Sequence, residues 1–249
     1  MRLSFILLLL LSLAGSLYGQ PQQFVWAQSG LSLRSAGRTD APKITTIPYG
    51  ATVELTGKRS EITPIVVLEG RQFGTLWPAD DLLRSEAYVM QDRFLEVRYG
   101  QHTGFVYGAY LFRVPPPQAD QQDFWLPEWL RNFAGTEVTD KNYPGRKGTE
   151  TITYPGGLVF ARSRTDGNEA FSLSIPHVTR AQAYVIVDRF WFVESAIRDR
   201  DERAEQEEDA YYTILKLDPQ ENLRFANGAG DIHIDRVGDF TVISFVSRW

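Results

Sequence analysis

The chain has 249 residues, of which 43% are hydrophobic and 13% aromatic, and its formal net charge is −5. This length and hydrophobic content argue against a disordered chain and allow one large or two ordinary domains. The acidic balance, without any segment dense in Lys and Arg, argues against nucleic acid as a partner. The aromatic content favours a mainly β structure, because aromatic side chains pack well on pleated sheets.

The first 19 residues have the three-part layout of a secretory signal peptide. A basic start at Arg2 precedes an apolar run from Phe5 to Leu13, and small residues follow. The apolar run is too short to span a hydrocarbon layer of roughly 30 Å. We expect cleavage near Gly19 and Gln20 and a periplasmic or secreted protein without membrane insertion afterwards; the alternative is a retained N-terminal anchor helix.

The sequence contains no cysteine. Disulfides, a lipid-anchored cysteine and thiolate zinc sites are therefore excluded. No metal site and no cofactor is predicted. An exported chain of this composition suits the periplasm of a Gram-negative bacterium or secretion into the medium.

A proline-rich stretch separates two halves of the chain. Residues 114–122 read VPPPQADQQ, and three consecutive prolines stiffen a chain and remove backbone donors. We predict a domain over 24–114, a linker over 115–122 and a second domain over 123–249.

The first half alternates strand-length runs with glycine turns, which predicts a small barrel of five or more strands. Leu31 and Leu33 share one strand face and should point inward, while Arg34 points outward. We expect Arg34 to bind a carboxylate or a loop carbonyl, or else a ligand. The segment between Gly57 and Arg93 is long for a connecting hairpin and suggests an added hairpin or flap.

Both ends of this half resemble the bacterial SH3 (Src-homology-3-like) family. The residues that carry the resemblance are Gly30, Leu31, Leu33, Arg34, Ser35, Ile44, Ile47, Tyr49, Gly50, Val53, Leu55, Phe94, Val97, Thr103, Gly104, Phe105, Val106, Tyr110 and Leu111. The resemblance implies an SH3-like barrel that recognises a cell-wall peptide or an envelope protein partner through aromatic and edge-strand contacts. The candidate ligand-binding residues are Trp26, Tyr49, Tyr99, Tyr107 and Tyr110; the alternative is that they belong to the core or to ordinary surface.

The second half predicts an α+β or nearly all-β domain with an antiparallel sheet. Residues 123–135 suggest a short amphipathic helix, three runs within 149–175 predict a meander, and four runs within 211–249 predict further hairpins. A segment beginning at a capping Thr179 and reaching about Asp209 is free of Gly and Pro; we favour a helix for its first part, although a buried strand has the same apolar pattern. The mixture of acidic and basic residues within Glu194–Asp209 is interpreted as a solvated helical or loop segment. The alternative is a calcium site, although the stretch lacks the glycine turn and the alternate acidic spacing of a calcium loop.

In the second half, three polar residues alternate with two isoleucines along one predicted strand. Asp231, His233 and Asp235 alternate with Ile232 and Ile234, which places the three polar side chains on one strand face. A carboxylate beside an imidazole can raise its basicity or help to hold a metal. A polar solvent face opposite a buried one explains the same spacing, and we favour that interpretation. No catalytic residue is predicted.

The sequence therefore favours an exported, non-enzymatic binding module. Two alternatives stay open: a cell-envelope hydrolase with a catalytic second domain, and a structural subunit of an envelope assembly.

Overall fold

The structure is a computed structural model that describes residues 22–73, 83–117, 129–130, 138–142, 147–165, 168–191, 214–217, 222–227 and 230–247. The protein is mainly β, with antiparallel sheets and one long helix in the described part. It divides into two compact units, residues 1–61 with 93–116 and residues 62–92 with 117–249. Residues 62–92 therefore group with the second unit, whereas the sequence analysis assigned them to the first domain.

The first unit is built on a curled seven-stranded sheet with the order β3-β2-β8-β7-β4-β1-β9. The strands of this half of the chain are β1 (Gln22–Val25), β2 (Leu31–Arg34), β3 (Lys43–Ile47), β4 (Thr52–Leu68), β5 (Arg71–Phe73), β6 (Leu83–Ser85), β7 (Tyr88–Tyr99), β8 (His102–Tyr107) and β9 (Leu111–Phe112). A 3₁₀ turn, Gly108–Tyr110, joins β8 to β9. Strands β5 and β6 pair with each other and form a separate two-stranded sheet.

Aliphatic side chains from most strands of this sheet meet in one core. Leu31 and Leu33 are buried and the intervening Ser32 is half-buried, so the predicted inward face of β2 is confirmed. The buried cluster also contains Val25, Ile47, Val53, Val97, Val106 and Leu111. Burial of such side chains is the main source of the unit's stability.

Gly57 is one of the glycines at which the sequence pattern predicts a strand to end, and this prediction is wrong. Strand β4 continues through Gly57, which has φ +94°. Glycine adopts this conformation without steric cost, and inside a strand it marks a bulge or bend rather than an end. Strands β4 and β7 are 17 and 12 residues long, and β5 and β6 form an antiparallel pair between them. The segment between Gly57 and Arg93 thus contains the expected added pair of strands together with the extensions of β4 and β7.

The second unit contains an eight-stranded antiparallel sheet with the order β10-β11-β12-β13-β17-β16-β15-β14. Its strands are β10 (Val138–Asn142), β11 (Gly148–Thr153), β12 (Val159–Thr165), β13 (Asn168–Pro176), β14 (Ile214–Leu217), β15 (Leu223–Asn227), β16 (Gly230–Val237) and β17 (Phe240–Ser247). The predicted meander and the four C-terminal strands are confirmed. Strand β10 had no counterpart among the predicted runs.

Helix α1 (Arg180–Trp191) packs against β16 and β17 of this sheet. The predicted cap is confirmed, because Thr179 Oγ1 accepts from the Gln182 N–H at 3.1 Å and Gln182 Oε1 accepts from the Thr179 N–H at 3.0 Å. This reciprocal pair is a capping box. Residues 183–187 are all buried, and five consecutive residues cover a full turn, so α1 is enclosed on every side.

Residues from β7 and the segment before it belong to the packing of the second unit. The ring of Tyr88 lies 4.8 Å from that of Tyr184, which in turn lies 6.2 Å from Phe225. The Glu86 carboxylate accepts a hydrogen bond from the Leu217 N–H at 2.5 Å. This contact satisfies a backbone donor on β14, the last strand of the sheet, where unpaired groups otherwise invite another chain.

Several sequence predictions lie outside the described residues: the signal peptide over 1–19, most of the helix over 123–135, and the acidic stretch within 194–209. Of the 115–122 segment only residues 115–117 are described, and Pro116 and Pro117 are buried. In the part of the chain that the structure describes, no helix combines the length and the apolar character needed to cross a bilayer.

Candidate functional site

The five aromatic residues predicted to bind a ligand do not share one environment. Trp26 and Tyr107 are buried, with 1% and 4% of their surface exposed, whereas Tyr49, Tyr99 and Tyr110 are half-buried. A ligand at the surface can contact the three half-buried rings directly. The two buried rings can act on it only after neighbouring groups move.

Trp26 follows β1 and is fixed by both its backbone and its side chain. Its N–H donates to the Tyr110 carbonyl at 2.9 Å, and its indole Nε1–H donates to the Val114 carbonyl at 2.9 Å. Its ring lies 4.4 Å from the ring of Phe112. A buried indole normally needs such a partner for its N–H, so the side chain is fully accommodated in the fold.

Tyr107 precedes the 3₁₀ turn, and Tyr110 is its last residue. The Tyr107 ring packs edge-on against Phe94 at 5.3 Å and lies 6.4 Å from the Tyr110 ring. Tyr110 and Tyr99 both pack against the aliphatic core while keeping part of their surface exposed. Tyr49 lies in the turn after β3, where Gly50 has φ +76°.

The loop between β2 and β3 is held by Arg34. The Arg34 guanidinium donates to the Ala41 carbonyl at 2.7 Å, which is the loop-carbonyl role expected from the sequence. A Cβ on Gly37 would lie 2.8 Å from the Cβ of Ser60 and 3.3 Å from the Phe105 ring and the Phe94 Cβ. Gly37 therefore lets the loop backbone approach these side chains closely, and a larger residue would push the loop away.

The structure adds a feature that the sequence did not single out, the exposed strand β3. It lies at one end of the sheet order, and within the described residues it pairs with β2 alone. The pairing shifts register between Leu33 and Arg34, and Ile44, which faces no partner in that register, is 41% exposed. An edge strand with an exposed apolar side chain is a surface to which an extended peptide can add.

Charged side chains line the face of β4 and β7 that points away from the core. Thr56 Oγ1 donates to Glu96 Oε2 at 2.5 Å, and Lys58 Nζ lies 3.2 Å from Glu96 Oε1. The Thr56 hydrogen bond is the largest cause that lowers the pKa of Glu96; burial of the carboxyl opposes it and Lys58 adds to it. Glu96 is therefore a fixed anion at neutral pH.

The second unit presents Asp231, His233 and Asp235 as predicted, half-buried on one face of β16, with Ile232 and Ile234 buried on the other. The register places Ser244 of β17 and Arg224 of β15 directly opposite His233. These two neighbours could not be found from the sequence, because strand pairing depends on the fold. Within the described ranges no cluster of three or more His, Cys, Asp or Glu is arranged to hold a metal ion.

No protein-family model matches this chain, and neither curated proteins nor solved structures show a match.

Proposed function

We propose that the protein is an exported binding module whose first unit is an SH3-like domain that recognises a cell-wall peptide or an envelope protein partner. The predicted signal peptide is the reason to place it in the periplasm or outside the cell. The resemblance of residues 24–114 to the bacterial SH3 family is the reason to expect a peptide ligand.

One observation supports the proposal: several residues that carry the resemblance lie in the core or at glycine turns of the first unit. Leu31, Leu33 and Val53 are core residues of a curled antiparallel sheet. Gly30 and Gly50 have φ of +84° and +76°, a conformation that glycine adopts far more readily than other residues. Among the residues that carry the resemblance, these apolar ones thus lie in the core, and these two glycines adopt a backbone conformation that favours glycine.

The proposed contact surface consists of the β3 edge, with Ile44, and the half-buried rings of Tyr49, Tyr99 and Tyr110. Backbone groups of an edge strand give affinity for an extended peptide, and rings give contact area at low cost in side-chain entropy. Trp26 and Tyr107 are buried and contact Tyr110, one of these rings, through the Trp26 N–H and the Tyr107 ring.

Co-sedimentation of the mature chain with purified peptidoglycan tests the proposal. Ile44→Lys places a charge on the β3 edge and should reduce the sedimented fraction at least threefold. Val237→Lys is the matched control, since Val237 is 60% exposed in the second unit, and it should sediment as the wild type does. If the wild type stays in the supernatant, the wall-binding proposal is wrong; if both variants lose binding equally, the β3 edge is not the contact surface.

A further inference from the structure

The eight-stranded sheet of the second unit has two faces with different surroundings. Leu173 and Ile243 pair across β13 and β17, and both are buried. Phe225 lies on the same face, and its ring is 6.2 Å from that of Tyr184 in α1. Successive side chains of a strand point to opposite faces of its sheet. The residues that alternate with these therefore form an outward face, which points away from α1.

The outward face has no charged side chain over four neighbouring strands. It consists of the first, third and further alternate residues of 149–153 in β11, 159–163 in β12, 170–176 in β13 and 240–246 in β17. Every one of these residues is Thr, Ser, Ala, Val, Pro or Phe. The charged residues of the four strands lie on the other face; they are Glu150, Arg162, Arg164 and Glu169. Since charged residues normally occupy the solvated face of an antiparallel sheet, this outward face has the composition of a surface that becomes covered.

The chemistry of the outward face is complementary to itself. Phe240 and Val246 are 38% and 46% exposed, and apolar side chains make up half of the face. The other half bears hydroxyl groups, each of which is both a donor and an acceptor of hydrogen bonds. Two such faces therefore meet without repulsion between like charges, and their hydroxyl groups can pair with one another. The occupant that fits this chemistry is a second copy of the chain.

The outward face is large enough for such a pair. Together with β16, the four strands form five adjacent strands of six to nine residues each. Strands lie about 4.8 Å apart and rise about 3.3 Å per residue, which gives a face of roughly 600 Å². Two copies would bury roughly 1,200 Å² in total, at the lower end of specific interfaces. This area is that of a reversible dimer.

The acidic side chains of β16 determine how the two faces are oriented. Strand β16 presents Asp231 and Asp235 on one side of the face, and β11 presents Thr149, Thr151 and Thr153 on the other, with β13 midway between them. A two-fold axis parallel to β13 places β16 of each copy over β11 of the other, where threonine hydroxyls can donate to the carboxylates. An axis perpendicular to β13 would place carboxylates over carboxylates, which repel one another.

We propose that the protein associates into a two-fold symmetric dimer through the outward face of β11, β12, β13, β17 and β16, with the axis parallel to β13. Ser172 is the middle residue of β13, so it lies near the axis and faces Ser172 of the second copy. The proposed wall-binding surface, the β3 edge with its neighbouring tyrosines, has no part in this interface.

Sedimentation velocity of the mature chain between about 1 and 500 μM tests the proposal, because interfaces of this size give dissociation constants in the micromolar range. We expect the wild type to change from monomer to dimer within this range. Ser172→Arg places like charges over each other and should raise the Kd at least about tenfold. Thr52→Arg is the control, since Thr52 is an exposed strand residue of the first unit, and it should associate as the wild type does. An equimolar mixture of Ser172→Arg and Ser172→Glu should associate again, because opposite charges then meet.

A second pair of variants tests the direction of the axis. Thr151→Lys places a cation over the acidic side chains of β16 of the second copy and should lower the Kd about threefold. Thr151→Glu should raise it by about the same factor, because a third carboxylate then joins Asp231 and Asp235.

Three results would overturn the proposal. A wild type that stays monomeric at every concentration would leave the outward face to a different occupant. Equal Kd values of Ser172→Arg and the wild type would show that association uses another surface. A change of the Kd in the same direction for Thr151→Lys and Thr151→Glu would contradict the parallel axis. If the Ser172 variants do not fold, Ser174→Arg and Ser174→Glu carry the same expectations.

Discussion

The pKa of the Glu96 carboxyl group depends mainly on a single hydroxyl, that of Thr56. Both side chains lie on the face of β4 and β7 that points away from the core. The Thr56 hydrogen bond favours the charged form and is the main reason that the pKa of Glu96 is lowered. Thr56→Val removes the donor at nearly constant shape. We expect the pKa of Glu96 to rise, as measured by ¹³C NMR titration of its carboxyl group.

The same variant changes how stability depends on pH. A lowered pKa in the folded state contributes stability that is present above the unfolded value of about 4.3 and is lost as the pH falls through the folded pKa. Thr56→Val should therefore lose less stability than the wild type on acidification through this range. Thr52→Val, at an exposed position of the same strand, should behave as the wild type. Identical acid dependence of Thr56→Val and wild type would contradict the role of Thr56.

Helix α1 shows which parts of an element the sequence can predict. The capping residue was predictable, because Thr179 and Gln182 form a local pattern that needs no tertiary context. The helical period could not be recognised in the sequence, because residues 183–187 are all hydrophobic and all buried, so no polar face interrupts them. The alternating pattern of β16 was clear for the opposite reason, since only one face of that strand is buried.

Thr179→Ala should destabilise α1 by about 1 kcal/mol, because it leaves a first-turn N–H without its acceptor. Urea unfolding followed through the amide signals of α1 measures the effect. Thr165→Ala, at the exposed end of β12, is the control and should change the free energy of unfolding by less than about 0.5 kcal/mol. If the two variants unfold at the same urea concentration, the capping box does not contribute to the stability of the helix.

Over the whole molecule, the strand pattern could be predicted from the sequence, whereas the division into these two units could not. Gly70 and Gly100 lie just after the ends of β4 and β7, as the glycine pattern predicts. Gly57 does not, since nothing in a single glycine distinguishes a bend within a strand from its end. The grouping of residues 62–92 with the second unit depends on contacts such as that of Tyr88 with Tyr184, which join positions far apart in sequence. The positions of Arg224 and Ser244 opposite His233 could likewise not be predicted from the sequence, because they depend on strand register.

The most direct test of the proposed function is an NMR titration of the ¹⁵N-labelled mature chain with soluble peptidoglycan fragments that carry stem peptides. We expect the largest amide shift changes in the first unit, on β3 and at Tyr49, Tyr99 and Tyr110. Saturating fragments that leave these signals unchanged, or that shift only signals of the second unit, would contradict it.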